Sequence, residues 1–165
     1  MLNRLKKLFV ASEQDLTTRQ RIRLARNHLD TGNLDDAYSE AMTAVKQAPE
    51  DADAQRLLGE VLLERKDLDR ALHALERALE LDPQIYDVHY YLGQVHMQRK
   101  DLASAIEHYR KELARNPSHA RVHCNLAIAL YATKRPKEAV QHADRAKQLG
   151  EELSPDFLEK LKPYR

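Results

Sequence analysis

The chain is poor in cysteine and glycine and has no long apolar run. Its single cysteine, Cys124, excludes an internal disulfide and fits a reducing compartment. Four glycines in 165 residues leave little material for a nucleotide-binding loop, and no phosphate-cradling glycine motif is present. There is no HExxH and no Ser/His/Asp-type pattern, so nothing points to metal-dependent or serine hydrolysis. Six prolines and four glycines also mean that few connections are long. No stretch approaches the length of a membrane-spanning helix. The first residues, MLNRLKKLFVASEQD, begin as a signal peptide would, with Arg4, Lys6 and Lys7. Their apolar run stops at Ala11, before Glu13 and Asp15, which is too short for a signal core. These absences predict a cytoplasmic protein that is not an enzyme, needs no cofactor and holds no metal.

Charge is plentiful at 32% of residues, and 42% are hydrophobic, a balance that suits a helical protein with one domain. The formal net charge of +1 conceals blocks of opposite sign. Residues 1–26 carry seven Lys/Arg against two Asp/Glu, 27–83 carry six against fourteen, and 84–165 carry fourteen against ten. Alternating blocks favour charge-guided choice of a protein partner over nucleic-acid binding, which calls for a concentrated basic face.

The dominant feature is self-similarity at a spacing of 34 residues. Leu24, Leu58, Leu92 and Leu126 recur in step, each followed by a small residue: Ala25, Gly59, Gly93 and Ala127. Ala37, Ala71, Ala105 and Ala139 form a third register, and Pro49, Pro83 and Pro117 a fourth. Within 52–85, Leu58, Gly59 and Leu62 share one face of a first helix, and Ala71, Leu75 and Ala78 share one face of a second. The missing side chain of Gly59 lets the second helix approach closely. Asp67 is placed to cap that helix, and Pro83 ends it. One such hairpin cannot bury its apolar face alone; stacked neighbours bury it together.

In these marks the chain resembles the tetratricopeptide repeat (TPR) family, with four repeats at about 18–51, 52–85, 86–119 and 120–153 in a TPR domain over 17–165. The resemblance implies an all-α, right-handed solenoid of helix–turn–helix hairpins whose concave groove is lined by the first helix of each repeat. The fourth repeat loses the closing proline, and Ser154-Pro155 restarts a helix to about Lys162 that would cap the solenoid. The hairpin turns vary. Gly32 suits a left-handed turn, with Asn33 as a cap for the next helix, whereas Lys66 and Lys100 in the same slot would be strained and suggest turns of another shape. Pro136 suits the first turn of its helix.

Residues 1–16 lie outside the repeats and form a basic amphipathic segment, with Leu2, Leu5, Leu8 and Phe9 on one helical face. Such a segment could meet an anionic membrane surface, pack on the solenoid or a second chain, or fray.

Carried over by register, the groove expected from the family has three characters. Arg19, Ile22, Arg23 and Arg26 make a basic end; Asp53, Arg56, Glu60 and Glu64 give mixed charge. Tyr90, Tyr91, Gln94, Met97, Arg121, Cys124, Asn125, Ile128 and Tyr131 make an aromatic and apolar end. Tyrosine and arginine are the types that most often anchor interfaces. An adjacent pair such as Tyr90-Tyr91 cannot point one way on a helix, so one is expected to pack and one to face the groove. The clamp by which related domains hold chaperone C-termini is not met. Arg56 and Arg121 fill basic slots, but Glu60, Tyr91 and Asn125 stand where Asn, Asn and Arg are needed. In the alternative frame Ile22, Leu57, Asp87 and Tyr91 depart. His119 and His123 are four apart with Cys124 adjacent, but a turn position and helix packing account for them. Cys124 has no companion base.

The resulting expectation is a non-catalytic interaction module, an adaptor or assembly factor, holding a partner peptide or helix with acidic residues. Self-association and membrane attachment through the N-terminal segment are the alternatives.

Overall fold

In the computed structural model of the chain, residues 16–165 are described; the basic segment expected at the N-terminus lies outside them, save for Leu16. The described residues are all-helical, with no strand among them. Four hairpins follow in chain order. They are α1 (Thr18–Asp30) with α2 (Leu34–Gln47), α3 (Ala52–Glu64) with α4 (Leu68–Leu81), α5 (Val88–Gln98) with α6 (Leu102–Arg115), and α7 (Ala120–Ala132) with α8 (Pro136–Gln148). A short helix, α9 (Pro155–Leu161), and a 3-10 turn at Lys162–Tyr164 close the chain.

The chain divides into two compact units, Met1–Ile85 and Tyr86–Arg165. The division falls at the boundary expected between the second and third repeats. In the first unit α2 packs on both α1 and α3, α3 packs on α4, and α1 also touches α3. In the second, α5, α6, α7 and α8 pack successively, and α9 rests on α8.

The small residues act as the sequence predicts. A Cβ on Gly59 would lie 2.5 Å from Leu75 Cγ, so the glycine lets α4 approach α3. At Gly93 the visitor is larger: a Cβ there would lie 2.3 Å from the Tyr109 ring, which is fully buried. Ala37, Ala71, Ala105 and Ala139 are all fully buried. Asp51, Asp67 and Asp101 each cap a helix by accepting a backbone hydrogen bond three residues on. Thr17 and Gln20 form a reciprocal capping box at the start of α1. Pro136 takes the first helical position of α8, and Ser154 caps α9. Asn33 does not cap α2: its side chain turns to Asp36 and donates to that carboxylate.

The hairpin turns correct an expectation. Lys66 and Lys100 adopt the left-handed conformation, with φ of 65° and 63°, as Gly32 does at 75° and Lys134 at 61°. All four turns share one hydrogen-bond pattern. The left-handed residue donates to the carbonyl three back, and its successor donates to the carbonyl five back, as in Lys66 to Leu63 and Asp67 to Leu62. This Schellman closure fixes the backbone, and the lysines accept the strain.

Replacing Lys66 by Gly relieves that strain at the cost of a more flexible unfolded chain, so a net stabilisation of about 0.5–1 kcal/mol is expected in urea unfolding. Gly93→Ala forces the Tyr109 ring from its seat and is expected to destabilise by about 1–3 kcal/mol in the same measurement.

Candidate functional site

In the first unit, α1 and α3 carry the charged candidates. Arg19 and Arg23 are exposed on successive turns of α1. Arg26 reaches α3, where its Nη2 lies 3.6 Å from Glu60 Oε2. Glu60 also meets Arg56 at 3.5 Å, and Arg56 meets Asp53 at 3.3 Å. This shared carboxylate joins the first helices of two hairpins. Arg56 is therefore misplaced by the groove expectation: at 1% exposure it is an internal strut, not a contact surface. Ile22 is half-buried, while Asp53 and Glu64 are exposed. On the side of the second helices, Tyr38 of α2 lies under two arginines: Arg65 stacks 4.8 Å from its ring centre, and Arg70 donates to its hydroxyl at 2.6 Å. Arg65 also pairs with Asp35.

In the second unit Tyr90 is buried at 9% exposure, with its ring 5.2 Å from Tyr91 and 5.0 Å from His119. Gln94 donates to the Tyr90 hydroxyl at 2.9 Å. Tyr90 is thus the packing member of its pair, which removes it from the accessible set, and Tyr91 is half-buried. Tyr131 is also withdrawn, because the chain's own C-terminal segment covers it: its ring meets Phe157 edge-on at 5.5 Å and Tyr164 at 6.4 Å. The structure does gather Gln94, Met97 and Asn125 around one shallow hollow of about 160 Å³, with Gln98 and Tyr109 completing its lining. Ile128, one turn on from Asn125, is 41% exposed, and Arg121 is exposed. Cys124 is buried, and desolvation pushes its thiol up to about 11, so it is held as the thiol.

A polar slot recurs across three hairpins, 19 residues apart in each. Arg21 and Glu40 form an ion pair of 2.7 Å there in the first. His89 and His108 bring their Nδ1 atoms to 3.1 Å in the third, and His123 and His142 bring theirs to 2.9 Å in the fourth. His123 Nε2 donates to the Pro117 carbonyl at 3.0 Å, so in the neutral ring its Nδ1 is the acceptor and His142 donates. The second hairpin has Gln55 and Ala74 in this slot.

One cluster was not foreseen. Asp87 precedes α5 in the left-handed conformation, Glu112 lies on α6 and His119 precedes α7. One ligand-type atom of each lies within 4.8 Å of the others, and His119 Nε2 is 3.5 Å from Asp87 Oδ1. Glu112 is 3% exposed; the Tyr90 backbone N–H donates to its carboxylate. Burial, then the charge of Asp87, raises the Glu112 pKa, against the lowering effect of His119 and Arg115. The signal was present in the repeat register: the Glu112 slot is Ala44, Ala78 and Ala146 in the other hairpins, each fully buried.

Tetratricopeptide repeat family models match residues 22–72 and 65–115, and a second such model matches 96–152. The chain belongs to the tetratricopeptide repeat family. Its fold is that family's helical solenoid, a scaffold for protein–protein interaction. Solved MamA is similar over 88% of this chain and 84% of its own, at 25% identity and a TM-score of 0.74. A chain of the APC/C hetero-tetramer Cut9–Hcn1 matches at 21% identity and 0.76, over 81% of this chain and 27% of that one. Pseudomonas aeruginosa pilF matches at 22% and 0.73, over 80% and 60%. No curated protein matches the sequence. No helix among the described residues is long and apolar enough to cross a membrane.

The histidine slot makes stability pH-dependent. Burial first, then repulsion from His89 and His96 and the nearby Lys111, lowers the His108 pKa from 6.5 to about 4, with Glu107 opposing. His142 is lowered likewise, by burial and by His123. At these histidines the unfolded chain binds more protons than the native one between 6.5 and about 4, so the slot's contribution to stability falls as pH falls through that window. Unfolding midpoints measured across this range should show the slope, and His108→Gln should flatten it.

Proposed function

We propose that the chain is a non-catalytic adaptor that holds an acidic segment of a partner protein on the exposed face of α1, and that the second unit carries an anchor site of its own on α5 and α7. The observation that carries this reading is the pair Arg19 and Arg23. They stand exposed one helical turn apart, and among the described residues neither makes an ion pair. Most other arginines of the first unit are already engaged: Arg21 with Glu40, Arg56 with Asp53 and Glu60, and Arg65 with Asp35. Exposed guanidinium forks suit carboxylates, which they can grip with two parallel hydrogen bonds.

In the second unit, the hollow beside Met97 and Asn125 and the exposed Ile128 offer an apolar contact with polar edges, the composition of a small anchor site. That Cut9 is solved in a hetero-tetramer with Hcn1 agrees with a role in assembly.

The test is affinity capture from native lysate with mass-spectrometric identification, using the wild-type chain, Arg19→Glu/Arg23→Glu, and Met97→Asp/Ile128→Asp as baits. The expected result is a partner with an acidic segment whose binding falls roughly tenfold or more with the arginine variant, while circular dichroism shows the fold unchanged. An unchanged set of captured proteins at unchanged yield with both variants overturns the reading.

A further inference from the structure

We propose that Asp87, Glu112 and His119 form a binding site for a single divalent transition-metal ion of the zinc class. The three side chains come from three places in the second unit: the residue before α5, the last turn of α6 and the residue before α7. Their ligand atoms lie within 4.8 Å of one another. A tetrahedral ion with donors at about 2.1 Å spaces those donors by about 3.4 Å. The His119–Asp87 edge, at 3.5 Å, already has that length. Rotamer adjustments of about 1 Å at the other edges complete the set.

Glu112 supplies the independent observation. Its Oε2 is buried and has no hydrogen-bond partner, although the side chain as a whole is only 3% exposed. Helix packing does not require a carboxylate here, since alanine fills the same slot at Ala44, Ala78 and Ala146. Arg115 offsets part of the local negative charge but leaves that oxygen unmet. A cation placed between the three groups satisfies Oε2 and balances both carboxylates. The donor set of two carboxylates and one imidazole suits zinc and its neighbours in the first transition row. The tilted contact of the His119 ring with Tyr90, 5.0 Å between ring centres, limits rotation of the imidazole. Three protein donors leave one coordination position open to water or to a side chain of a bound partner.

The test uses the full chain, freed of metal, titrated with Co2+ and Zn2+ near neutral pH. The expected result is a visible Co2+ absorption band of a four-coordinate ion that saturates at one per chain, is displaced by Zn2+, and is accompanied by a rise in Tm with Zn2+. Glu112→Ala restores the residue of the other repeats. It should fold, unfold at a metal-free Tm equal to or above that of wild type, and lose both the band and the Zn2+ shift. His119→Ala should lose the band as well. Should Glu112→Ala not fold, Glu112→Gln keeps the shape without the anionic donor and carries the same test. Two results overturn the proposal. One is absence of saturable one-per-chain binding to wild type. The other is an unchanged band in the Glu112 variant, which would put the ion on the His89–His108 or His123–His142 pair.

Discussion

Everything in this chain depends on two helices of a hairpin being able to touch backbone to side chain. That closeness exists because a first-helix position has almost no side chain. At Gly59 the space is taken by Leu75, and at Gly93 by the whole ring of Tyr109. Ala25 and Ala127 hold the equivalent positions with a single methyl group, and both are fully buried. Once two helices are drawn together in this way, their opposite faces are too narrow to close on themselves. The apolar surface left over has to be covered by the next hairpin, so the repeat propagates. In the second unit α9 ends this propagation, with Leu161 fully buried and Tyr131 covered by Phe157 and Tyr164.

The turns show how far this packing can override local preference. A left-handed lysine costs about 1–2 kcal/mol relative to an unstrained residue. Three lysines take that conformation, at Lys66, Lys100 and Lys134. The closure that holds each one satisfies two helix-terminal carbonyls and sets the helix that follows, and a buried polar group left unmet costs about 1–3 kcal/mol. The backbone requirement therefore outweighs the side-chain preference. Glycine at Gly32 is the relaxed solution to a geometry that the other hairpins reach under strain.

How much was legible in the sequence follows from this distinction between position and partner. The 34-residue period, the alanine register, the aspartate caps and the closing helix could be read because each follows from chain-local chemistry repeated in step. The turn shape at Lys66 does not follow from propensity, because a fixed hairpin rather than an isolated turn sets its conformation. The surface residues were harder. Register places Arg56 on the first helix, but only the structure shows Asp53 and Glu60 drawing it inside. Register places Tyr131 on an open face, but its cover, Phe157 and Tyr164, lies beyond the repeat in sequence. Arg19 and Arg23 are exposed on α1, with no such partner among the described residues.

Departures from the repeat are the informative residues in such a chain, and their weight depends on where they fall. The slot of Arg21–Glu40 is occupied elsewhere by two histidine pairs and by Gln55 with Ala74. Its tolerance is reasonable, because the charged and histidine pairs bond to each other and Gln55 donates to the Pro49 carbonyl. The slot of Glu112 is different. Alanine fills it three times without any polar demand, and a carboxylate there must be desolvated at a cost of several kcal/mol unless something answers its charge. Tyr90's backbone N–H and Arg115 answer part of it, while Oε2 is still without a hydrogen bond. Asp87 brings a second negative charge to the same place, which makes matters worse for two carboxylates alone and better for two carboxylates around a cation. Packing can explain the alanines and the strained lysines, but it cannot explain this glutamate. Under the proposal made above, Glu112 answers to the ion held by the cluster rather than to the helix packing that this chain shares with its family.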